Sequence, residues 1–132
     1  MVRIMIIEDD EEMRSLLKDF FEGEGFETDS VSSGVDALGK LSKDNFDLVI
    51  TDIRMPGLTG LDILPRIRKL NPETPIIVMT TYGSEDVRRR AFERGATIYL
   101  EKPIHLNKLR SVIREMVLRK KLEKLGAMQS LN

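Results

Sequence analysis

The 132-residue chain contains no cysteine, which excludes a disulfide scaffold, a zinc ribbon and a thiol nucleophile together. It also lacks an excess of either charge. Lys and Arg number 21 against 22 acids, a formal net charge of −1, so no overall basic field recruits nucleic acid. No apolar run approaches the roughly 18 residues that a membrane span requires. No leader-type segment opens the chain, which begins at once in a strand-like pattern. What remains is 41% hydrophobic and 33% charged, in a length that suits one domain. The expectation is a cytoplasmic protein without a membrane anchor.

Val2 to Ile7 is apolar and β-branched with no helical period. Met13, Leu16, Leu17, Phe20 and Phe21 then recur at helical spacing, closed by Gly23 and Gly25. Phe26 to Val31 reads as an edge strand, and Ser33 as the cap of a short helix carrying Val35, Leu38 and Leu41. Phe46 to Thr51 is a second buried-strand pattern, followed by loop chemistry over residues 55–60. Leu61, Leu64, Ile67 and Leu70 mark the next helix, and Pro65 inside it predicts a late start or a local bend. Ile76 to Met79 is a third apolar strand. Ser84 caps a helix ending at Gly95, Thr97 to Leu100 is the last strand, and Leu106, Leu109, Ile113 and Met116 lie on the last helix. Strands that are apolar throughout belong to parallel sheets covered on both faces. Five βα units with right-handed crossovers make a doubly wound α/β sandwich.

In such a fold the binding crevice lies beyond the carboxyl ends of the strands. Glu8, Asp9, Asp10, Glu11 and Glu12 follow the first strand, Asp52 the third, Thr80 and Thr81 the fourth, and Glu101 and Lys102 the fifth. The only histidine, His105, falls beyond this edge, so no Ser-His-Asp set forms. There is no Gly-rich phosphate loop either. Clustered carboxylates repel unless a divalent cation joins them, and oxygen donors suit Mg2+ better than zinc. An oxyanion bridging metal, lysine and hydroxyl is most simply a phosphoryl group, with Asp52 as the available nucleophile.

These residues give the chain a resemblance to the receiver domain of bacterial two-component response regulators. IIEDD at 6–10, DLVITDIRMPGLTGLD at 47–62, IIVMTTYGS at 76–84 and GATIYLEKPI at 95–104 carry it, in order, over residues 2–118. The resemblance implies a flavodoxin-like (βα)5 fold of strand order 2-1-3-4-5, Mg2+, and phosphorylation of Asp52 by a histidine kinase. It implies a protein that catalyses its own phosphorylation and dephosphorylation and turns over no separate substrate. Lys102 and Thr80 would contact the phosphoryl oxygens, with the Thr81 amide as a further donor. Tyr99 matches an aromatic switch position, and the surface of the fourth helix, fifth strand and fifth helix would respond. The metal would be held by Glu8, Asp9, Asp52 and the backbone carbonyl of Arg54.

Each assignment competes with a plainer role. Asp52 can simply cap the following loop. Glu11 and Glu12 suit the first turn of a helix, where acids complement the dipole. The strand ends at Ile7, and the family's second acid stands four residues before the helix's first apolar residue, Met13. That selects Glu8 and Asp9, with Asp10 in reserve. Lys102 can be a solvated lysine, Thr80 a strand-capping hydroxyl, Tyr99 packing, and Arg88 to Arg90 a solvated helix face. Thr81, Ile104 and the pair Thr97–Ile98 depart from the family's common residues without removing a reacting group. A phosphohydrolase working through an aspartyl phosphate would want an acid where Arg54 stands, and room for a cap domain. A degenerate receiver, serving only as an interaction module, would be expected to lack Asp52, Lys102 or the acidic pair.

Residues 1–118 are therefore read as the receiver domain, and 119–132 as a helical extension followed by a disordered tail. TDIRMPGLTGLD and the long last helix look most like receivers that precede an ATPase module in enhancer-binding transcriptional regulators, so a downstream output domain outside this chain is expected. Leu118, Leu122 and Leu125 form a second stripe, about 200° of helix rotation from the first. A helix to about Leu125 is expected, and a homodimer through these leucines and the switch surface.

Overall fold

Each apolar run becomes a strand and each periodic run a helix. The strands are β1 (Arg3–Ile7), β2 (Glu27–Val31), β3 (Leu48–Asp52), β4 (Ile76–Thr80) and β5 (Ile98–Glu101). The helices are α1 (Glu11–Gly23), α2 (Gly34–Leu41), α3 (Gly60–Leu70), α4 (Glu85–Glu93) and α5 (Leu106–Ser130). The computed structural model describes residues 1–54, 59–81 and 83–130, the last four by backbone alone. The expected loop at Met55 to Leu58, Tyr82 and the end of the tail lie outside the described residues. Met1–Lys102 is one compact unit and holds the sheet with α1 to α4; Pro103–Asn132 is a second and holds α5.

All strand pairs are parallel, in the order β2-β1-β3-β4-β5; the βα alternation predicts the doubly wound arrangement, and the family resemblance implies this order. β2 lies at an edge as expected. Met5, Ile7, Val49, Ile76 and Val78 join Ala37, Leu41, Ile63, Leu64, Ile67 and Ala91 in one buried cluster. The alternate strand residues Ile4, Ile6, Ile50 and Ile77 are equally buried. Both faces of the strands are thus covered, and this is why their sequences do not alternate. No helix among the described residues is long and apolar enough to cross a membrane.

Helix starts follow local chemistry. Ser33 and Ser84 cap α2 and α4 as predicted, accepting from the amides of Asp36 and Val87. Pro65 does not delay α3. Thr59 and Asp62 form a capping box that starts the helix at Gly60. Proline cannot donate to the carbonyl four residues earlier, that of Leu61, and Arg94 Nη1 donates to it instead at 3.1 Å. Arg68 performs a similar service at the other end. Its guanidinium donates to the carbonyls of Asn71, Pro72, Thr74 and Gly95, tying two turns together, and burial holds its pKa below the ordinary value.

Three residues assigned to apolar stripes are exposed instead: Leu16, Val35 and Leu70. In α1 the buried line is Leu17 and Phe21, and in α3 it is Gly60, Ile63, Leu64 and Ile67. A periodic sequence admits neighbouring registers, and the sheet selects one. The last strand and β3 are each displaced by one residue or two from the predicted spans. Phe46 falls before β3, where the Arg3 guanidinium lies over its ring. The backbone of α5 continues to Ser130, past the expected end near Leu125 and through residues drawn as disordered tail.

Candidate functional site

Glu8 is the first residue after β1, Asp52 the last of β3, Thr80 the last of β4, and Lys102 the first after β5. Parallel strands end on the same edge, so residues 94 positions apart in sequence meet there. Lys102 Nζ lies 2.7 Å from Glu8 Oε1 and 2.6 Å from Asp52 Oδ2. Glu8 is fully buried, Asp52 is buried, and the Lys102 side chain is only 13% exposed. The Lys102 amide donates to the Thr80 carbonyl at 2.8 Å, which fixes the start of this side chain.

Burial of acids costs several kcal/mol each unless a counter-charge accompanies them. Lys102 is that counter-charge, shared between two carboxylates. Burial raises the Glu8 pKa to about 7, an effect that the Lys102 hydrogen bond opposes and the charge of Asp52 reinforces. Burial works to lower the Lys102 pKa, but its hydrogen bonds to Asp52 and Glu8 and their charges prevail, holding it above the ordinary lysine value.

The other acids divide by position. One carboxylate oxygen each from Glu8, Asp9 and Asp52 fall within 4.8 Å of one another. Asp9 is exposed, and Glu8 Oε2 is buried with no hydrogen-bond partner among the described residues. An unsatisfied buried carboxylate oxygen in an all-oxygen cluster is what a hard divalent cation requires. Asp10 stands elsewhere: it is the N-cap of α1, and its carboxylate accepts from the Glu12 amide at 3.0 Å. Glu11 and Glu12 occupy the first helical turn. The main chain of Arg54 reaches the site, its amide donating to Asp52 Oδ1 at 3.0 Å.

Two further hydroxyls, one on β4 and one on β5, also find no partner among the described residues. Thr80 Oγ1 and Tyr99 Oη are buried and unpaired, while Thr81 is exposed. Burial, then the charge of Glu101, raises the Tyr99 pKa. The Ser84 main chain opposes that rise. Gly83 explains the position of the tyrosine. A Cβ there would meet the Tyr99 hydroxyl, with Tyr99 Cζ at 3.1 Å and Thr80 Cγ2 at 3.0 Å.

Sequence reasoning passed over Gly83, Gly60 and Arg14. Arg14 Nη1 donates to the carbonyl of Glu8 at 2.9 Å and of Asp9 at 3.5 Å, holding the connection that carries both acids. An arginine on the first turns of a helix gives no signal of this role in sequence.

Comparison with known proteins gives consistent results. The family model for the response regulator receiver domain matches residues 4–114. The chain is 32% identical over 113 residues to sporulation initiation phosphotransferase F of Bacillus subtilis, covering 86% of this chain and 91% of that protein. It is 35% identical over 114 residues to the transcriptional regulatory protein ZraR of Klebsiella oxytoca, covering 86% of this chain but only 26% of that one. The response regulator protein TrrA of Thermotoga maritima, solved in complex with Mg(2+)-BeF, superposes with a TM-score of 0.80 at 34% identity, over 88% of this chain and 99% of that one.

Proposed function

The chain belongs to the response regulator receiver domain family, and from that premise we propose that Asp52 accepts a phosphoryl group from the phosphohistidine of a sensor histidine kinase. The observation carrying this reading is the juxtaposition of Asp52, Lys102 and Glu8 at the strand ends where Thr80, whose hydroxyl has no partner among the described residues, closes β4. A carboxylate oxygen of Asp52 attacks phosphorus, the P–N bond to the kinase imidazole breaks, and an acyl phosphate forms. Lys102 then turns its charge from the carboxylates to the new phosphoryl oxygens, and Thr80 supplies a hydroxyl donor. These donors oppose the charge that develops in transfer. The acids fit Mg2+, which Glu8, Asp9, Asp52 and the Arg54 carbonyl would hold; when bound, the ion would neutralise the acids and act as a Lewis acid toward the phosphoryl oxygens.

Phosphorylation adds charge and acceptors at one edge of the sheet. Our reading is that Thr80 moves toward the acyl phosphate, Tyr99 follows, and the surface formed by α4, β5 and α5 changes state. Water later attacks the phosphoaspartate and resets the protein. The working compartment is the cytoplasm. A homodimer through this surface and a downstream output domain belong to the same proposal. Titration with acetyl phosphate or beryllofluoride, with and without Mg2+, tests it: a Mg2+-dependent saturable response supports the switch, and none leaves an interaction module.

Protons and metal compete at Glu8. Its pKa of about 7 in the fold lies above the ordinary 4.5, so the metal-free folded state holds the extra proton between these values. Stability of the metal-free protein should therefore fall as pH rises through that window. Mg2+ affinity should rise as pH approaches the Glu8 pKa from below and level off only once pH is well above it, as measured by calorimetric titration. Glu8→Gln and Asp9→Asn should weaken Mg2+ binding about tenfold or more without loss of fold, because mutual repulsion is relieved. If Asp10→Asn alone removed binding, the acidic pair would be offset by one residue.

Gly83→Ala should expel the Tyr99 hydroxyl from its buried position, the ring itself being half-buried. In a Tyr82→Phe background the phenol should titrate above its ordinary value in the parent and return toward 10.0 in the variant. Unchanged titration would remove Gly83 from the switch.

The phosphoryl group should persist for much longer than seconds. Arg54 and Tyr82, two residues past Asp52 and Thr80, stand where family logic puts the attacking water, and neither offers a carboxylate or amide to orient it. Release of inorganic phosphate after desalting measures this, and a half-life of seconds at neutral pH overturns it.

A further inference from the structure

The last helix carries an apolar seam on its outer turns. Leu118, Leu122 and Leu125 are 56%, 57% and 55% exposed, whereas Leu109 and Ile113, earlier on α5, are buried. Intervals of four and three residues put the three leucines on one line, the a and d positions of a coiled-coil seam. In that register Arg114 and Lys121 occupy g positions and Arg119 an e position. Arg119 pairs with Glu115 of its own helix at 3.2 Å, both side chains being well exposed. From Arg114 to Lys124 there are five cations against two acids.

The flanks determine what can lie on this seam. In a parallel pair the g residue of one helix faces the following e residue of the other, so Arg114 would face Arg119 of a second copy. In an antiparallel pair g faces g, and Arg114 or Lys121 would again meet a cation. Like charges at these positions select against pairing. A membrane surface fits poorly as well, since the segment has a narrow line of leucines and no aromatic residue, not a broad apolar face. We propose that Leu118, Leu122 and Leu125 dock an amphipathic helix of a partner protein with apolar residues at a and d and Glu or Asp at e and g. This surface lies wholly on α5 and is independent of the phosphoryl chemistry. It also differs from the self-association through these leucines that the stripe alone suggests.

The test uses the full chain and two synthetic three-heptad peptides, leucine at a and d in both, with glutamate at e and g in one and lysine in the other. The glutamate peptide should bind the wild type, and binding should weaken about tenfold or more between low and half-molar salt. Leu118→Asp with Leu122→Asp should abolish binding while thermal unfolding is unchanged, since both side chains are exposed. Arg114→Glu with Lys121→Glu should exchange the preference for that of the lysine peptide, and the chain alone should sediment as a species unaffected by the leucine substitutions. The proposal is overturned if the glutamate peptide fails to bind or binds the leucine variant equally well. It is equally overturned if the wild type self-associates through these leucines, or if anionic phosphatidylglycerol vesicles capture the wild type and not the leucine variant in place of the peptide.

Discussion

Asp52→Asn is expected to abolish incorporation of phosphate from acetyl phosphate. The substitution keeps the size of the side chain and one acceptor for the Lys102 ammonium, which lies 2.6 Å from Asp52 Oδ2. What it removes is the carboxylate oxygen that attacks phosphorus, and an amide does not replace it as a nucleophile. The fold should survive, because one of three charges sharing a buried site has been neutralised. Intact-protein mass spectrometry after incubation with acetyl phosphate and Mg2+ should find the added phosphoryl group in the wild type alone. Uptake by the variant would move the acceptor elsewhere, with Asp9 and Asp10 the next acids to test, and would end the assignment of Asp52.

Gly60→Ala should be the most damaging small substitution near the site. Gly60 is the first residue of α3, and its amide donates to the Ile53 carbonyl at 2.7 Å. A Cβ at this position would collide with the Asp52 carbonyl oxygen and lie 2.6 Å from Ile53 Cα. Those are backbone atoms at the end of β3, so no side chain can move aside to relieve the overlap. Overpacking of this kind costs about 3 kcal/mol when the neighbours are rigid, or roughly 10 °C in Tm for a domain of this size. Displacing the end of β3 also displaces Asp52, so phosphorylation should slow in the fraction that folds. Gly39→Ala supplies the contrast. Gly39 is exposed within α2 and a Cβ there meets nothing within 4 Å, so that change should stabilise the protein by about 0.5–1 kcal/mol. Equal effects of the two substitutions on the thermal transition would refute the steric argument.

Pro65 and Leu16 mark where reading the chain by local rules fell short. A proline inside a helical pattern leaves one carbonyl without its donor, and local rules then predict a late start or a bend. Arg94 satisfies that carbonyl from 33 residues away, a contact that no local window contains. Leu16 belongs to a periodic stripe yet is 48% exposed, because the sheet accepts Leu17 and Phe21 and the adjacent register faces water. Asp10 belongs to the same acidic run as Glu8 and Asp9, but its carboxylate caps α1. Capping and metal binding draw on the same residue types; the spacing from Ile7 and Met13 preferred Glu8 and Asp9, and the direction of the chain after β1 sends Asp10 to the cap.

By itself, the sequence determined the order of strands and helices and the class of fold, because apolar runs of strand length must be buried on both faces and alternating βα units can bury them in few ways. It also determined which chemistry-bearing residues stand at strand ends, since that depends only on where each apolar run stops. Tertiary structure decided the rest. It joined Glu8, Asp52 and Lys102 into one hydrogen-bonded set, left Glu8 Oε2, Thr80 Oγ1 and Tyr99 Oη without partners among the described residues, and made Gly60 and Gly83 steric necessities. Those properties depend on distances between strands and on exclusion of water. Both arise only when segments far apart in sequence pack together, and no local pattern encodes them.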